Sequence, residues 1–472
     1  MKFFTCIFFL VTFFSGQDSF GQSSHSKKPN IIIVFIDDMG YGDVGFNNPA
    51  VSYTPNFDFL ANHGIVLKHF YVSEAVCTAS RSSLLTGCYA NRVGMGGAID
   101  HKSLIGLNPA ETTIAEMLKE SGYKTAAYGK WHLGFQKQFL PTSQGFDEFF
   151  GIPYSGDMWP NHPENPSYYP PLPLYQNETI IDTVKEQSWF TQKFTEKTVG
   201  FIEKNAGNPF FIYLAHPLPH VPLFVSEKFK GATGKGTYAD VIHEIDWSIG
   251  EIRKSLEKNG LEENTLFIVT SDNGPWLAYG DHAGVTAGLR EGKGTSWEGG
   301  VRTPFVAYWK NKIPKGITSS EAVMSIDILP TLAAISASSL PAKKIDGVNI
   351  AALLTGKRKA LPERPLFFYY NRNDLEAMHW RKWKLYFPHS YRTMSGQAPG
   401  GNGTPGKYKT IKMDKMELYN LESDPFETKD IFTSQQKVIT KMNKMAEAMR
   451  KELGDDLTNR KGEANREAGK VQ

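Results

Sequence analysis

The sequence predicts an α/β fold, and three features of its patterning carry that prediction. Apolar runs of strand length recur along the chain, segments with helical spacing separate them, and polar residues stand just past the strand ends. Ile31-Ile32-Ile33-Val34-Phe35-Ile36 is such a run, as a strand buried on both faces requires, and Asp37-Asp38 follow it at once. Open α/β sheets place their ligand sites at strand exits of this kind.

Residues 1–22 read as an export signal. Lys2 precedes the apolar run Phe3 to Val11, and small or polar residues follow around Ser15-Gly16 and Ser19 to Gly21. The run is too short for a spanning helix, so the expected product is exported, either periplasmic or secreted, with no stable membrane insertion. Asn108-Pro109-Ala110-Glu111 opens a helical segment in which Ile114, Met117 and Leu118 fall at three-and-four spacing, and Gly122 suits its stop. A short strand, Lys124 to Tyr128, leads into Gly129-Lys130-Trp131-His132. Phe210 to Leu214 runs into His216 and His220. A helix is expected from Tyr238 to Asn259, and Leu266 to Val269 runs into Asp272-Asn273.

The stretch from Pro160 through Pro173 reads as a surface insertion lining a cleft. Near Leu361 the texture changes. Leu366 to Tyr370, Trp383 to Phe387 and Glu417 to Tyr419 read as short strands, and Ser395 to Gly406 as a Gly/Pro-rich loop without packing capacity. Gln435 to Leu453 is expected to be helical. These boundaries give a signal over 1–22, a main catalytic domain over 28–360, a smaller subdomain over 361–453 and a charged flexible tail over 454–472.

At 472 residues the chain can bury a sizeable core, and its 40% hydrophobic and 21% charged residues suit a globular protein. A net charge of +3, with no zinc-finger spacing and no long basic helix, argues against nucleic acid as a partner. Without the signal only Cys77 and Cys88 remain. A helix between them makes disulfide geometry poor, so both are expected to be free.

The polar run Cys77-Thr78-Ala79-Ser80-Arg81 sets a thiol four positions before an arginine. Such a cysteine can be a core thiol, a nucleophile or a side chain destined for chemical conversion. A helix beginning near Ser80 would place terminal amides close to it. Ser80 is a poor candidate nucleophile, because the Gly-x-Ser-x-Gly setting is absent. Asp37, Asp38, Asp272 and Asn273 supply oxygen donors from two strand exits, and adjacent carboxylates repel unless a cation or protons offset their charge. An all-oxygen set favours calcium or magnesium over zinc. Arg81, Lys130, His132, His220 and Lys293 can surround a small anion, which together with a metal suits a sulfate or phosphate ester. His216 and His220 share one strand exit, and only one need reach substrate. Asp281 and His282 are further cleft candidates.

On these residues the chain resembles the type I sulfatases, the formylglycine-dependent family within the alkaline-phosphatase-like superfamily, over residues 28–430. Cys77-Thr78-Ala79-Ser80-Arg81 is similar to the activation motif, with Ala79 where the family usually has proline. Leu84-Leu85-Thr86-Gly87, Asp37-Asp38-Met39-Gly40, Gly129 to Gly134, Ser271 to Gly274, Gly292 to Thr295 and Glu298 to Arg302 also match. His220 within Pro219-His220-Val221-Pro222 matches a family histidine. Glu417 to Leu421 with Asp424-Pro425 is similar to a C-terminal marker, and Gly151-Ile152-Pro153-Tyr154-Ser155 points to the arylsulfatase A-like branch.

The resemblance implies a mixed central sheet flanked by helices, with a smaller antiparallel C-terminal subdomain. It implies that Cys77 is converted to formylglycine by a formylglycine-generating or anaerobic sulfatase-maturing enzyme. One oxygen of the hydrated aldehyde would attack sulfur, and the second hydroxyl would then expel sulfate. Asp37, Asp38, Cys77, Asp272 and Asn273 would hold one Ca2+, or Mg2+. Lys130, His220 and Lys293 would bind the sulfate or aid the leaving oxygen, with Arg81 and His132 orienting the diol. A sulfated saccharide or an aryl sulfate is the expected substrate. Trp159, Tyr168, Tyr169 and Trp276 are candidate aromatic walls, and Tyr386, His389 and Arg392 candidate specificity residues. Open alternatives are a phosphatase or phosphodiesterase, an inactive carbohydrate-binding homologue and a thiol hydrolase.

Overall fold

The computed structural model describes residues 1–3 and 28–471. The signal segment 1–22, with Cys6, lies outside the described residues apart from 1–3. The main strands are β1 Asn30–Ile36, β2 Ile65–Tyr71, β3 Ile105–Gly106, β4 Lys124–Lys130, β5 Glu148–Ile152, β6 Pro173–Gln176, β7 Thr179–Thr183, β8 Phe210–His216, β9 Thr265–Ser271, β10 Phe305–Tyr308 and β11 Ile317–Met324. All but β3 join one ten-stranded sheet in the order β11-β2-β10-β9-β1-β8-β4-β5-β6-β7. Its centre, β9 through β5, is parallel, and antiparallel pairings at β10, β6 and β7 make the sheet mixed.

The unbroken apolar run of β1 feeds both faces of this sheet. Ile31, Ile33 and Phe35 enter one core, with Leu84 and Leu85 of the helix Cys77–Thr86, Met117 and Leu118 of Ile114–Glu120, and Leu329 and Leu332 of Ile328–Ser336. Ile32, Val34 and Ile36 enter the other, against Phe57 of Pro55–His63, Phe194 of Phe190–Lys204, and Ile245 and Ile249 of Thr237–Lys258. Each such side chain contributes roughly 1.5–3 kcal/mol when fully buried. That burial is why β1 sits in the middle of the sheet.

Register then decides what the strand exits share. Ile36 pairs with His216 on one side and with Ser271 on the other, and Lys130 pairs with Ile152. Residues just past Ile36, Ser271 and Lys130 therefore emerge along one edge.

The C-terminal part adds β12 Leu366–Tyr370, β13 Asp374–Trp380, β14 Trp383–Tyr386, β15 His389–Thr393, β16 Lys409–Met413 and β17 Glu417–Asn420. They form an antiparallel sheet β12-β13-β14-β17 and a separate β15-β16 pair. A third core joins this part to the main sheet through Tyr71, Val72, Trp297 and Val301 against Phe368, Leu385, Tyr386 and Leu418.

Four local expectations change. The helix carrying Cys77 begins at Cys77 itself rather than near Ser80, after a Val76 N-cap that offers no side-chain bond. Asn108 to Glu111 is not helical; the helix starts at Ile114 behind Thr113, whose hydroxyl and the Glu116 carboxylate form a capping box. The Ser395–Gly406 loop is docked, because Gly400 N and Gly406 N both donate to Ala278 O at 2.9 and 2.7 Å.

Residues 454–471, expected to be a flexible tail, fold back across the chain. Asp455 pairs with Arg450 at 2.7 Å, Arg466 with Glu111 at 2.7 Å, Arg466 N donates to Arg92 O, and Gly469–Lys470 pairs with β3. Charge in this segment is met by partners already fixed in the fold, and its backbone pairing needs no apolar side chain. This strap holds the segment before and through β3. Deleting residues 454–472 is therefore expected to lower the thermal midpoint and to speed amide exchange over residues 91–106, measured by calorimetry and hydrogen-exchange mass spectrometry. Unchanged exchange there would contradict the strap.

Candidate active site

Position 77 stands at the first turn of its helix, 3% exposed, facing the exit edge of the sheet. Its Sγ lies 3.4 Å from Asp37 Oδ1 and 3.4 Å from Lys293 Nζ. Donor atoms of Asp37, Asp38, Cys77 and His220 all fall within 4.8 Å of one another. Cys88 is 1% exposed at the far end of the helix, and both cysteines are free.

Three buried cations meet three buried carboxylates around this point. Lys130 Nζ is 2.5 Å from Asp37 Oδ2, Lys293 Nζ is 2.7 Å from Asp38 Oδ1, and Arg81 Nη2 is 2.7 Å from Asp272 Oδ2 and 3.5 Å from Asp37 Oδ1. Asp38 N donates to Asp272 Oδ1 at 3.0 Å, locking one strand exit to the other. Burial alone would raise Asp37, but Lys130 foremost, with His220, Arg81 and Lys293, holds it well below the usual carboxylate range. Asp272 is pushed up to about 7 by burial and by the Asp37 charge. Burial and Asp37 also push the Cys77 thiol up to about 12. A cysteine so placed is a poor thiolate, and no histidine hydrogen-bonds to it among the described residues, which counts against a thiol hydrolase.

The backbone is strained where it presents these groups. Asp38 and His132 both have φ 62°, a left-handed conformation that costs a non-glycine residue of order 1–3 kcal/mol. Asp43 holds the first of these loops: its carboxylate accepts from Gly40 N at 2.6 Å, Tyr238 Oη at 2.6 Å and Val285 N at 2.7 Å. At the second, Gly129 has φ 105° and a Cβ there would fall 1.9 Å from Ala215 O, so only glycine lets β4 approach β8 just before Lys130.

The two imidazoles differ in chemistry. His132 Nε2 bonds Ile99 O at 2.8 Å, which requires the proton on Nε2 and leaves Nδ1 an acceptor, buried without a partner. Burial and Lys130 hold its pKa well below the usual value, so it stays neutral. His220 Nδ1 donates to Val221 O at 2.6 Å, leaving Nε2 to face Ser155 Oγ at 3.4 Å and Asp38 Oδ2 at 3.7 Å. Nε2 is thus the atom able to give or take a proton. His216 is excluded from this work: it is buried against Ser248 Oγ at 3.2 Å, with its pKa lowered to about 3 by burial.

The structure brings together Asp37, Asp38, Cys77, Arg81, Lys130, His132, His220, Asp272, Asn273 and Lys293. Arg81 is fully buried and engaged with carboxylates rather than presented to the cleft. Trp276 joins the site, with Lys293 Nζ 4.8 Å over its ring and the His220 ring 5.5 Å away. Trp159 instead packs on Phe224, and Tyr169 on His101 and His162, as loop supports; Tyr168 is exposed beside Lys102. Tyr386, expected in the specificity wall, is fully buried, stacked on Trp297 at 4.0 Å and bonded to Glu427. It cannot line a cleft. His389 is buried between Tyr386 and Tyr391, its Nδ1 bonded to Phe387 O and its Nε2 3.7 Å from Glu376. Asp281 anchors the docked loop by accepting from Asn402 N at 2.9 Å. Ser155 is the residue whose role sequence reasoning missed. Its Oγ accepts from Lys130 Nζ at 3.2 Å as well as meeting His220; its signals in the sequence are a place three residues past the Ile152 strand end and the last position of the Gly151 to Ser155 motif.

The donor set fits a hard divalent cation. Asp37, Asp38 and Asp272 converge, and Asn273 Oδ1 is buried without a partner while its Nδ2 bonds Asp38 Oδ1 at 2.6 Å. Three carboxylates and an amide oxygen are calcium-type or magnesium-type ligands.

A parallel-centred sheet that presents an oxygen-ligand cluster, two lysines, a histidine and a convertible side chain defines a metal-assisted hydrolase of an anionic ester. The comparisons with known proteins agree. Residues 29–336 match the sulfatase family and 362–468 the C-terminal region of aryl-sulfatase. Arylsulfatase A of Homo sapiens is 35% identical over 432 residues, spanning 85% of this chain and 83% of its own. The PsFucS1 sulfatase from Pseudoalteromonas sp. superposes with a TM-score of 0.80 at 29% identity, over 90% of this chain and 91% of that one. Ps i-CgsB in complex with k-i-k-neocarrahexaose superposes with a TM-score of 0.75 at 29% identity, over 90% and 93%. The chain belongs to the type I, formylglycine-dependent sulfatases of the alkaline-phosphatase-like superfamily, related to the arylsulfatases. Its Asp37–Asp38–Cys77–His220 cluster matches the calcium and formylglycine site of that family.

Calcium is expected to raise the thermal midpoint of the purified protein, because binding only the folded state stabilises it by about 2.7 kcal/mol at a hundredfold excess over Kd. Asp37→Asn should abolish the calcium response in calorimetry. A midpoint indifferent to calcium in the parent protein would reject the metal site.

Proposed function

We propose that this chain removes sulfate from a sulfated saccharide. The observation that carries the reading is the convergence of Lys130, Lys293 and His220 Nε2 beside position 77 and the carboxylate cluster. Hydrated formylglycine at position 77 would supply the nucleophilic oxygen, and calcium held by Asp37, Asp38, Asp272 and Asn273 would offset charge on the sulfate.

The chain's own residues supply the rest. Lys130 and Lys293 present ammonium groups whose carboxylate partners keep them charged, for the sulfate oxygens. His220 Nε2 protonates the departing alcohol, with Nδ1–H tied to Val221 O so that the ring cannot turn. Ser155 Oγ sits between Lys130 and His220 and sets their spacing. His132 Nδ1, a buried acceptor without a partner, is suited to a hydroxyl on the converted residue. Arg81 holds Asp272 and Asp37 in place beneath it.

A saccharide substrate is supported by solved relatives, one of which holds a neocarrahexaose, and by the half-buried Trp276 ring beside Lys293 and His220. Export to the periplasm or outside the cell is supported by the apolar segment in residues 1–22. Maturation of Cys77 by a formylglycine-generating or anaerobic sulfatase-maturing enzyme is part of the same reading.

Sulfate release from sulfated mono- and oligosaccharides, run beside matched phosphate esters, tests the assignment; exclusive phosphate release would reverse it. His220→Ala is expected to lower kcat by about 10²–10⁴-fold on saccharide sulfates, and by far less on an aryl sulfate whose leaving group needs no proton. Equal losses on both would remove His220 as the acid.

A further inference from the structure

Strand β15 of the C-terminal part grips the loop that carries Lys293. Three consecutive residues each take one point on it. Tyr391 Oη accepts from Arg290 Nη2 at 2.9 Å, Thr393 Oγ1 donates to Glu291 Oε1 at 2.7 Å, and Arg392 donates to Lys293 O from Nε at 3.1 Å and from Nη2 at 2.6 Å. The guanidinium carbon lies 4.6 Å from the centroid of the Tyr408 ring and 5.9 Å from that of Trp276. Gly294 has φ 79°, and a Cβ there would fall 2.3 Å from Arg392 Nη2. The loop is therefore shaped to receive this arginine.

The ammonium of Lys293 is held at its tip by Asp38 and lies over Trp276, while the other bonds at its backbone are main-chain ones. Lys293 N donates to Pro275 O at 2.9 Å, and Gly294 N donates to Ala75 O at 2.9 Å, two residues before Cys77. Beside the loop lies an open groove of about 760 Å³ lined by Leu277, Arg290, Glu291, Tyr391 and Thr393 among others. We propose that Arg392 is a positioning residue for the sulfate pocket: by clamping the Lys293 carbonyl it sets the Lys293 ammonium between Asp38 and position 77. The inference rests on the sulfatase reading above. It gives Arg392 a role beyond the sugar recognition expected of it.

A clamp and a sugar contact give different kinetics. With Arg392→Met, kcat/KM should fall about tenfold or more on a small aryl sulfate and on a sulfated saccharide alike, the scale set by misplaced positioning groups. The KM for the aryl ester and the inhibition constant for inorganic sulfate should both rise, and the thermal midpoint should stay near that of the parent. Arg392→Lys should recover part of the loss, because an ammonium can donate to Lys293 O but cannot supply the two-pronged fork. A loss confined to the saccharide, or aryl sulfate turnover equal to the parent, would overturn the proposal. If the parent protein hydrolyses no sulfate ester, the sulfatase reading fails by itself. Calorimetric binding of inorganic sulfate then still scores Arg392, since the Met variant must bind it more weakly and equal binding would overturn the clamp.

Discussion

Everything at this site depends on three carboxylates and three cations buried together at the exit edge of one sheet. Asp37, Asp38 and Asp272 are fully or almost fully out of water, as are Lys130, Lys293 and Arg81. Removing one partner from such a set leaves an uncompensated buried charge and typically costs about 3–5 kcal/mol. Replacing buried ion pairs by apolar packing is often neutral or stabilising. The charge lattice instead fixes, to within hydrogen-bond distances, where a cation and a sulfate can sit. It also couples elements far apart in sequence, because Arg81 reaches Asp272 and Lys293 reaches Asp38.

That lattice is assembled by the sheet and then held under strain. The register Ile36–Ser271 makes the Asp37-Asp38 and Asp272-Asn273 exits level, and the Asp38 N to Asp272 Oδ1 bond closes them. Left-handed backbone at Asp38 and His132 is unfavourable locally and persists because the surrounding bonds over-determine it. Asp43, which touches no reacting atom, ties Gly40, Tyr238 and Val285 together and so braces the first loop. The C-terminal part extends the same logic: β15 reaches into the Lys293 loop, and the strap 454–471 reaches β3.

What the sequence made legible follows from what each signal physically is. The apolar run Ile31 to Ile36 announces a strand buried on two faces, and the polar residues after it announce a site, because both are consequences of burial. Asp37, Asp38, Asp272, Asn273, Lys130 and His220 were readable for that reason, whereas Lys293 lies in the loop between β9 and β10 and was legible through the Gly292 to Thr295 motif. The start of the Cys77 helix was not, since Val76 offers no capping side chain; the Thr113–Glu116 capping box was present in the sequence and was passed over for Asn108. The strap was illegible because backbone pairing and ion pairs such as Arg466–Glu111 and Asp455–Arg450 hold it, neither of which leaves an apolar pattern. Tyr386 and Arg392 were picked out as residues near a cleft, but side-chain direction separates them. One is stacked under Trp297, and the other forks onto a carbonyl.

The central claim is that position 77 acts as a converted residue inside this charge lattice, and that the thiol is only its precursor. Mass analysis of the peptide containing Cys77, taken from active protein made in a host that matures sulfatases, tests it most directly. The account predicts formylglycine at position 77, in a fraction that tracks specific activity across preparations. Fully active protein carrying only unmodified cysteine would contradict it.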